Sequence, residues 1–285
     1  MVPRAAFASV TGRLRKELSI PVITSNRINM PDVAEQVLLD AHADIISMAR
    51  PMLADPDLIL KTLEGREDEI NTCIACNQAC LDHTFTGQEV SCLVNPRACH
   101  ETMLSYTPTD KPKSIAIVGA GPAGLAYADV AAGRGHKVSL YDAASEIGGQ
   151  FNLAKQIPGK EEFFETLRYF KRRIEVAGID LNLNTAVSAQ TLKDKGYDEV
   201  IVATGVAPRT PDIDGIDHEK VVGYIDAIKG LKPIGRKVAI MGAGGIGFDY
   251  AELAGSSKRP GSRFSKVYER GGYPGLQHRV NGQGQ

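Results

Sequence analysis

Ser114-Ile-Ala-Ile-Val-Gly-Ala-Gly-Pro-Ala-Gly124 decides the fold of this chain. Ser114–Val118 is a short apolar run suited to a buried parallel strand, and Gly121–Arg134 reads as the helix that follows. Between them lies Gly-x-Gly-x-x-Gly. Gly119 permits the tight turn, Gly121 lets backbone approach a diphosphate, and Gly124 lets helix and strand pack closely. The helix start offers unpaired N–H groups and a positive dipole end to that diphosphate. A second strand, Lys137–Tyr141, ends at Asp142, 18 residues beyond Gly124, where an acid binds a ribose hydroxyl. The context makes this a Rossmann-like dinucleotide site. Two later stretches favour FAD over NAD: Glu146-Ile-Gly-Gly-Gln150, and the strand Glu199–Val202 running into Ala203-Thr204-Gly205. Both recur in flavoprotein reductases that bind two dinucleotides.

The same punctuation returns further on. Lys237–Met241 reads as a strand, and Gly242-Ala-Gly-Gly-Ile-Gly247 as a second nucleotide loop opening a helix, with Gly242, Gly244 and Gly247 in the three glycine roles. Two such loops on one chain fit a reductase passing hydride from a nicotinamide to a flavin. Arg270 is a candidate for a 2′-phosphate, with a solvated surface charge as the equal alternative. The tail from Gly255, rich in Gly, Ser, Arg and Gln, carries little apolar pattern.

Ahead of the first loop stand Cys73, Cys76, Cys80 and Cys92, spaced Cys-x2-Cys-x3-Cys-x11-Cys. Four thiolates in that span suit either one tetrahedral zinc or one iron–sulfur cube. The tight three-cysteine arc favours the cube, where each thiolate reaches a different iron; zinc stays open, as does no metal. Cys99 falls outside the pattern and reads as a small buried thiol.

Upstream, the rhythm is helix Thr11–Leu18, strand Ile20–Ser25, helix Pro31–Ala43, strand Asp44–Met48 and helix Pro56–Leu63. This resembles the last quarter of a (β/α)8 barrel, whose final strand ends build a phosphate site. Arg27 and Arg50 follow those two strands, where the phosphate of FMN would be held. The fold class is therefore α/β: the end of a (β/α)8 barrel over 1–66, an iron–sulfur segment and linker over 67–110, a Rossmann-like FAD domain over 111–231, and the start of an NAD(P)H-binding unit over 232–285.

A formal charge of −1 gives no electrostatic case for nucleic acid or an anionic membrane. No run of 18 apolar residues is present and no signal peptide opens the chain, so it reads as cytoplasmic. Clustered cysteines in a reducing compartment fit a metal site better than disulfides.

Several blocks together resemble the bacterial NADPH-dependent 2,4-dienoyl-CoA reductases, in the old-yellow-enzyme group that includes trimethylamine dehydrogenase. They are Ser25–Asn29, Ser47–Pro51, Asn71–Cys80, Ser91–Glu101, the Gly119 loop, Glu146–Gln150 with Lys155–Lys160, and Gly242–Gly247. The resemblance covers residues 1 to about 254. It implies that electrons pass from NADPH through FAD and a 4Fe–4S cluster to FMN, which reduces an acyl-CoA of fatty acid metabolism. It places Cys73, Cys76, Cys80 and Cys92 at the cluster. Ala123, Asp142, Gln150, Lys160 and Val187 would lie against FAD, and Arg27, Ala49 and Arg50 against the FMN phosphate. The family's FMN ring site, acyl-CoA pocket and proton donor come mostly from earlier barrel strands, so it assigns no catalytic residue here. It implies a fragment, with an internal start and a frameshifted end, and weak or no turnover alone. A non-catalytic FAD- or cluster-binding fragment and a zinc-stapled nucleotide-binding module are the alternatives.

Overall fold

The computed structural model describes residues 2–256. The chain divides after Ile213 into two compact units. The first opens with α1 (Ala8–Arg15), β1 (Ile23–Ser25), α2 (Pro31–Leu39), β2 (Ile45–Ser47), α3 (Arg50–Ala54) and α4 (Leu58–Leu63). β1 and β2 pair in parallel, Thr24 opposite Ile46. Pro31 starts α2 because its fixed φ suits the first turn and its missing N–H would be unpaired there anyway. A small core of Ala8, Ile28, Val37 and Ala43 holds these pieces together. α3 is unexpected. It places Arg50 in the first turn of a helix rather than in a loop.

A 3-10 turn (Glu67–Glu69) leads to the cysteine segment, where a π-helical stretch, Gln78–Asp82, runs into α5 (His83–Phe85). The second half of the unit contains β3 (Ser114–Val118), α6 (Pro122–Gly133), β4 (Lys137–Tyr141), α7 (Phe151–Ala154), α8 (Phe163–Val176), β5 (Asp180–Asn182), α9 (Ala189–Asp194) and β6 (Glu199–Val202). Its four parallel strands lie in the order β5-β4-β3-β6. Side chains alternate across the sheet, as pleating requires. Ile115, Ile117, Val138 and Leu140 pack under α6 and α8 with Leu125, Ala128 and Ile174. Ala116 and Tyr141 face the other way, against Leu192 of α9. β3 has β4 on one side and β6 on the other, so the strand order reverses at its C-terminal end. Open α/β sheets bind ligands in the crevice at such a switch point.

The second unit contains α10 (Tyr224–Lys229) and α11 (Gly245–Gly255). Lys237–Met241, expected as a strand, joins no ladder among the described residues. A strand needs a neighbour for its N–H and C=O groups, and none is described beside it. No helix among the described residues is long and apolar enough to cross a membrane.

Candidate functional site

Gly119 follows β3 at φ +111°, and a Cβ there would overlap the Ala203 carbonyl oxygen. A Cβ on Gly124 would overlap the carbonyl oxygen of Gly119, so only glycine allows α6 to sit this close to the turn. Gly121 differs: its φ is ordinary, and a Cβ would meet nothing within 4 Å. The space in front of it is open, at the start of a helix whose first N–H groups have no side-chain cap.

Two further segments close on this loop. The Gly148 N–H donates to the Ala120 carbonyl at 2.7 Å, with Gly148 at φ +114°. A Cβ on Gly149 would stand 3.2 Å from the Gly121 Cα. Gly149 thus lies on backbone, whereas Gly148 combines a left-handed φ with close packing against the Leu167 side chain. Gln150 Nε2 donates to the Val206 carbonyl at 3.2 Å, tying that turn to the segment after β6. Asp142 accepts the Ala120 N–H on Oδ2 at 2.7 Å and the Ala144 N–H on Oδ1 at 2.8 Å. A carboxylate has about four lone-pair sites, so both oxygens can still accept from ribose hydroxyls. Gly119, Gly121, Ala123, Gly124, Asp142 and Gln150 stand on the turn after β3, the start of α6 and the two segments that close on them. Val187 packs with Val118 and Tyr197 against Ala116, Tyr141 and Leu192, on the α9 face of the sheet. Lys160 is half-buried just ahead of α8. The open space at Gly121 and the uncapped N–H groups at the start of α6 fit a dinucleotide diphosphate.

The second loop repeats the first in its own unit. Gly242 also has φ +111°, and a Cβ on Gly247 would overlap the Gly242 carbonyl oxygen. Gly244 caps α11 as Gly121 caps α6. Arg270 lies outside the described residues.

Cys73, Cys76, Cys80 and Cys92 all border one small pocket. Ala75 and Asn77 take left-handed φ values, 53° and 62°, which fold the arc around it. Asn29 Nδ2 donates to the Cys73 carbonyl at 2.9 Å, and Asn71 Nδ2 to the Val94 carbonyl at 2.8 Å. The Ser91 N–H donates to the Ala79 carbonyl at 2.7 Å and draws Cys92 toward the arc. Arg168 of α8 reaches the same region, donating to the Ile70 carbonyl at 2.6 Å and to Thr72 Oγ1 at 3.2 Å. Burial pushes the Cys73, Cys76 and Cys92 thiols up, and at Cys73 the Arg50 guanidinium partly opposes it. Among the described residues no group of three or more Cys, His, Asp or Glu side chains is placed to hold a metal ion. The thiols line a shared space without meeting at a point. Cys99, expected buried, is exposed, because its turn places it at φ +66° on the surface.

The two arginines expected at a phosphate have separate partners. Arg27 is buried, donating to the Val2 carbonyl at 2.8 Å and pairing with Glu162 at 2.8 Å. Arg4 pairs with the same carboxylate at 2.6 Å. Arg50 donates to Asn77 Oδ1 at 2.6 Å and to Asn26 Oδ1 at 2.9 Å, and borders the cysteine cavity. Ala49 stands exposed ahead of α3. Glu162, Asn29 and Asn77 were not singled out in the sequence. The first acts over 135 residues, which no local pattern reveals; Asn29 and Asn77 sit inside blocks that were quoted for their neighbours.

A parallel sheet with a glycine loop at its switch point defines a dinucleotide-binding oxidoreductase. Residues 113–268, more than half of the chain, match the family described as pyridine nucleotide-disulphide oxidoreductase. Residues 2–69 match the NADH:flavin oxidoreductase / NADH oxidase family. The chain belongs to the pyridine nucleotide-disulphide oxidoreductase family. It is 39% identical over 260 residues to a metal reductase of Desulforamulus reducens, covering 90% of this chain and 39% of that one. It is 33% identical over 243 residues to a cinnamate reductase of Clostridium sporogenes, covering 84% and 36%. Among solved structures, a 2-naphthoyl-CoA reductase in complex with 2-naphthoyl-CoA superposes with a TM-score of 0.85 at 36% identity, covering 89% of this chain and 39% of that one. The chain therefore spans under two-fifths of the length of these relatives. Flavin and pyridine nucleotide are the cofactors of the two matched families.

Proposed function

We propose that this chain is the electron-entry part of an iron–sulfur flavoprotein reductase that acts on an unsaturated acyl-CoA, with 2,4-dienoyl-CoA as the substrate. The single observation that carries the cluster is the gathering of Cys73, Cys76, Cys80 and Cys92 around one cavity. A lone zinc needs its four ligands about 2.3 Å from one point, whereas a cube lets each thiolate bind a separate iron. The acyl-CoA class is supported by the solved 2-naphthoyl-CoA reductase.

When bound, FAD, a 4Fe–4S cluster and FMN supply hydride acceptance and one-electron transfer. The chain's own residues supply placement. The Gly119 loop and the start of α6 hold the FAD diphosphate, Asp142 the ribose, and Gln150, Lys160 and Val187 the remainder. Gly242, Gly244 and Gly247 hold NADPH. Ala49 and Arg50 hold the FMN phosphate, with Arg27 locked to Glu162 behind them.

Anaerobic purification of the chain, followed by flavin extraction and iron and acid-labile sulfide assays, tests this. The expected protein is brown, contains iron and sulfide in equal amounts, and loses its flavin absorption on adding NADPH. A colourless protein holding zinc would overturn the proposal in favour of a zinc-stapled nucleotide-binding module. Flavin and cluster that NADPH leaves oxidised would reduce it to a non-catalytic binding fragment.

A further inference from the structure

We infer that Arg50 sets the reduction potential of the cluster through its charge, a role separate from any contact with a flavin phosphate. The inference rests on the cluster reading above. Among the described residues, Arg50 is the only charged side chain bordering the cysteine cavity; the thiols apart, that wall is the amide of Asn77 and apolar groups such as Leu53, Ile74 and Val94. The guanidinium is fixed by two neutral oxygens, Asn77 Oδ1 at 2.6 Å and Asn26 Oδ1 at 2.9 Å. Both acceptors come from residues in left-handed backbone, Asn26 at φ +78° and Asn77 at φ +62°, so the acceptor pair is built by the turns themselves. Neither acceptor bears charge. Arg27, by contrast, is neutralised by Glu162. Within the chain itself, and so in the FMN-free protein, no carboxylate offsets the Arg50 charge at the edge of this weakly polar space.

A cube held by four thiolates is an anion, and one added electron makes it more negative. A fixed cation nearby favours the reduced form more than the oxidised form, and the effect grows where water is excluded. Raised potential is the consequence.

The test is a redox titration of the cluster-loaded chain, followed by electron paramagnetic resonance, for wild type, Arg50→Gln and Arg50→Lys. At the wild-type midpoint, Arg50→Gln is expected to show a reduced-to-oxidised ratio about tenfold lower, a downward shift of about 59 mV for one electron. Arg50→Lys, which keeps the charge, is expected to stay near wild type. Coincident midpoints for wild type and Arg50→Gln would overturn the inference while leaving the cluster reading intact. Should Arg50→Gln fail to retain a cluster, retention by Arg50→Lys supports the role of charge, and loss in both variants refutes it. Absence of iron and sulfide from the wild type would defeat the cluster reading and this inference together.

Discussion

Gly121 and Gly124 lie three residues apart and answer to different demands. A methyl group on Gly124 collides with the carbonyl of Gly119, inside the protein. Gly124→Ala is expected to cost about 1–3 kcal/mol, as overpacking does, and to lower the melting temperature. A methyl group on Gly121 meets no protein atom. Gly121→Ala should therefore leave stability within about 0.5 kcal/mol of wild type while reducing extracted flavin, because the added carbon stands where the diphosphate must approach. Calorimetry and flavin extraction on the two variants separate fold from function. This part of the site was legible because each glycine role is local to one turn. Arg27 was not. Its position after a strand suggested a phosphate partner, yet its guanidinium is taken by Glu162, far away in the sequence and just ahead of α8.

At the scale of elements, α8 carries much of the connection between the N-terminal half and the dinucleotide-binding half of the first unit. Glu162 precedes it and holds Arg4 and Arg27; Arg168 within it holds backbone ahead of Cys73. Burial alone would raise the Glu162 carboxyl, but the two guanidinium groups outweigh it and hold it below the ordinary 4.5. The sign follows from linkage. Stability from this group is fully present above the unfolded value near 4.5 and is lost as pH falls through the lower folded value. Glu162→Gln is expected to flatten the acid limb of a melting-temperature profile. Glu162→Ala, which leaves Arg27 buried and unpaired, should cost about 3–5 kcal/mol at neutral pH. An acid limb unchanged in Glu162→Gln would show that other carboxylates govern it. Strands β3, β4 and β6 were legible to the residue, since each is an apolar run ending at a glycine or acidic signal. β5 was missed: Asp180-Leu-Asn182 is short, polar and at the sheet edge, and only its pairing with β4 makes it a strand. Lys237–Met241 erred the other way, with a strand's composition and no described partner.

On the scale of the whole molecule, the two-stranded piece presents apolar surface that nothing described covers. Leu39 is 77% exposed, Leu63 80%, Ile23 59% and Ile45 49%. Contiguous apolar surface together with open strand edges favours association. The chain alone is expected to self-associate with rising concentration in sedimentation experiments, and Leu39→Lys with Leu63→Lys to suppress it. A monomer at all concentrations in the unsubstituted chain would argue that this surface is too small or too divided to matter. A parallel sheet is ordinarily buried on both sides, so a pair of parallel strands by itself leaves faces uncovered.

Asp142 accepts from the backbone of Ala120 and Ala144, and these bonds fix its carboxylate within the fold. The proposed seat for the ribose is thus tied to the backbone. Binding need not spend free energy on ordering that corner, so affinity there should depend little on temperature-sensitive rearrangement and mostly on what the incoming sugar offers to oxygens already aimed at it.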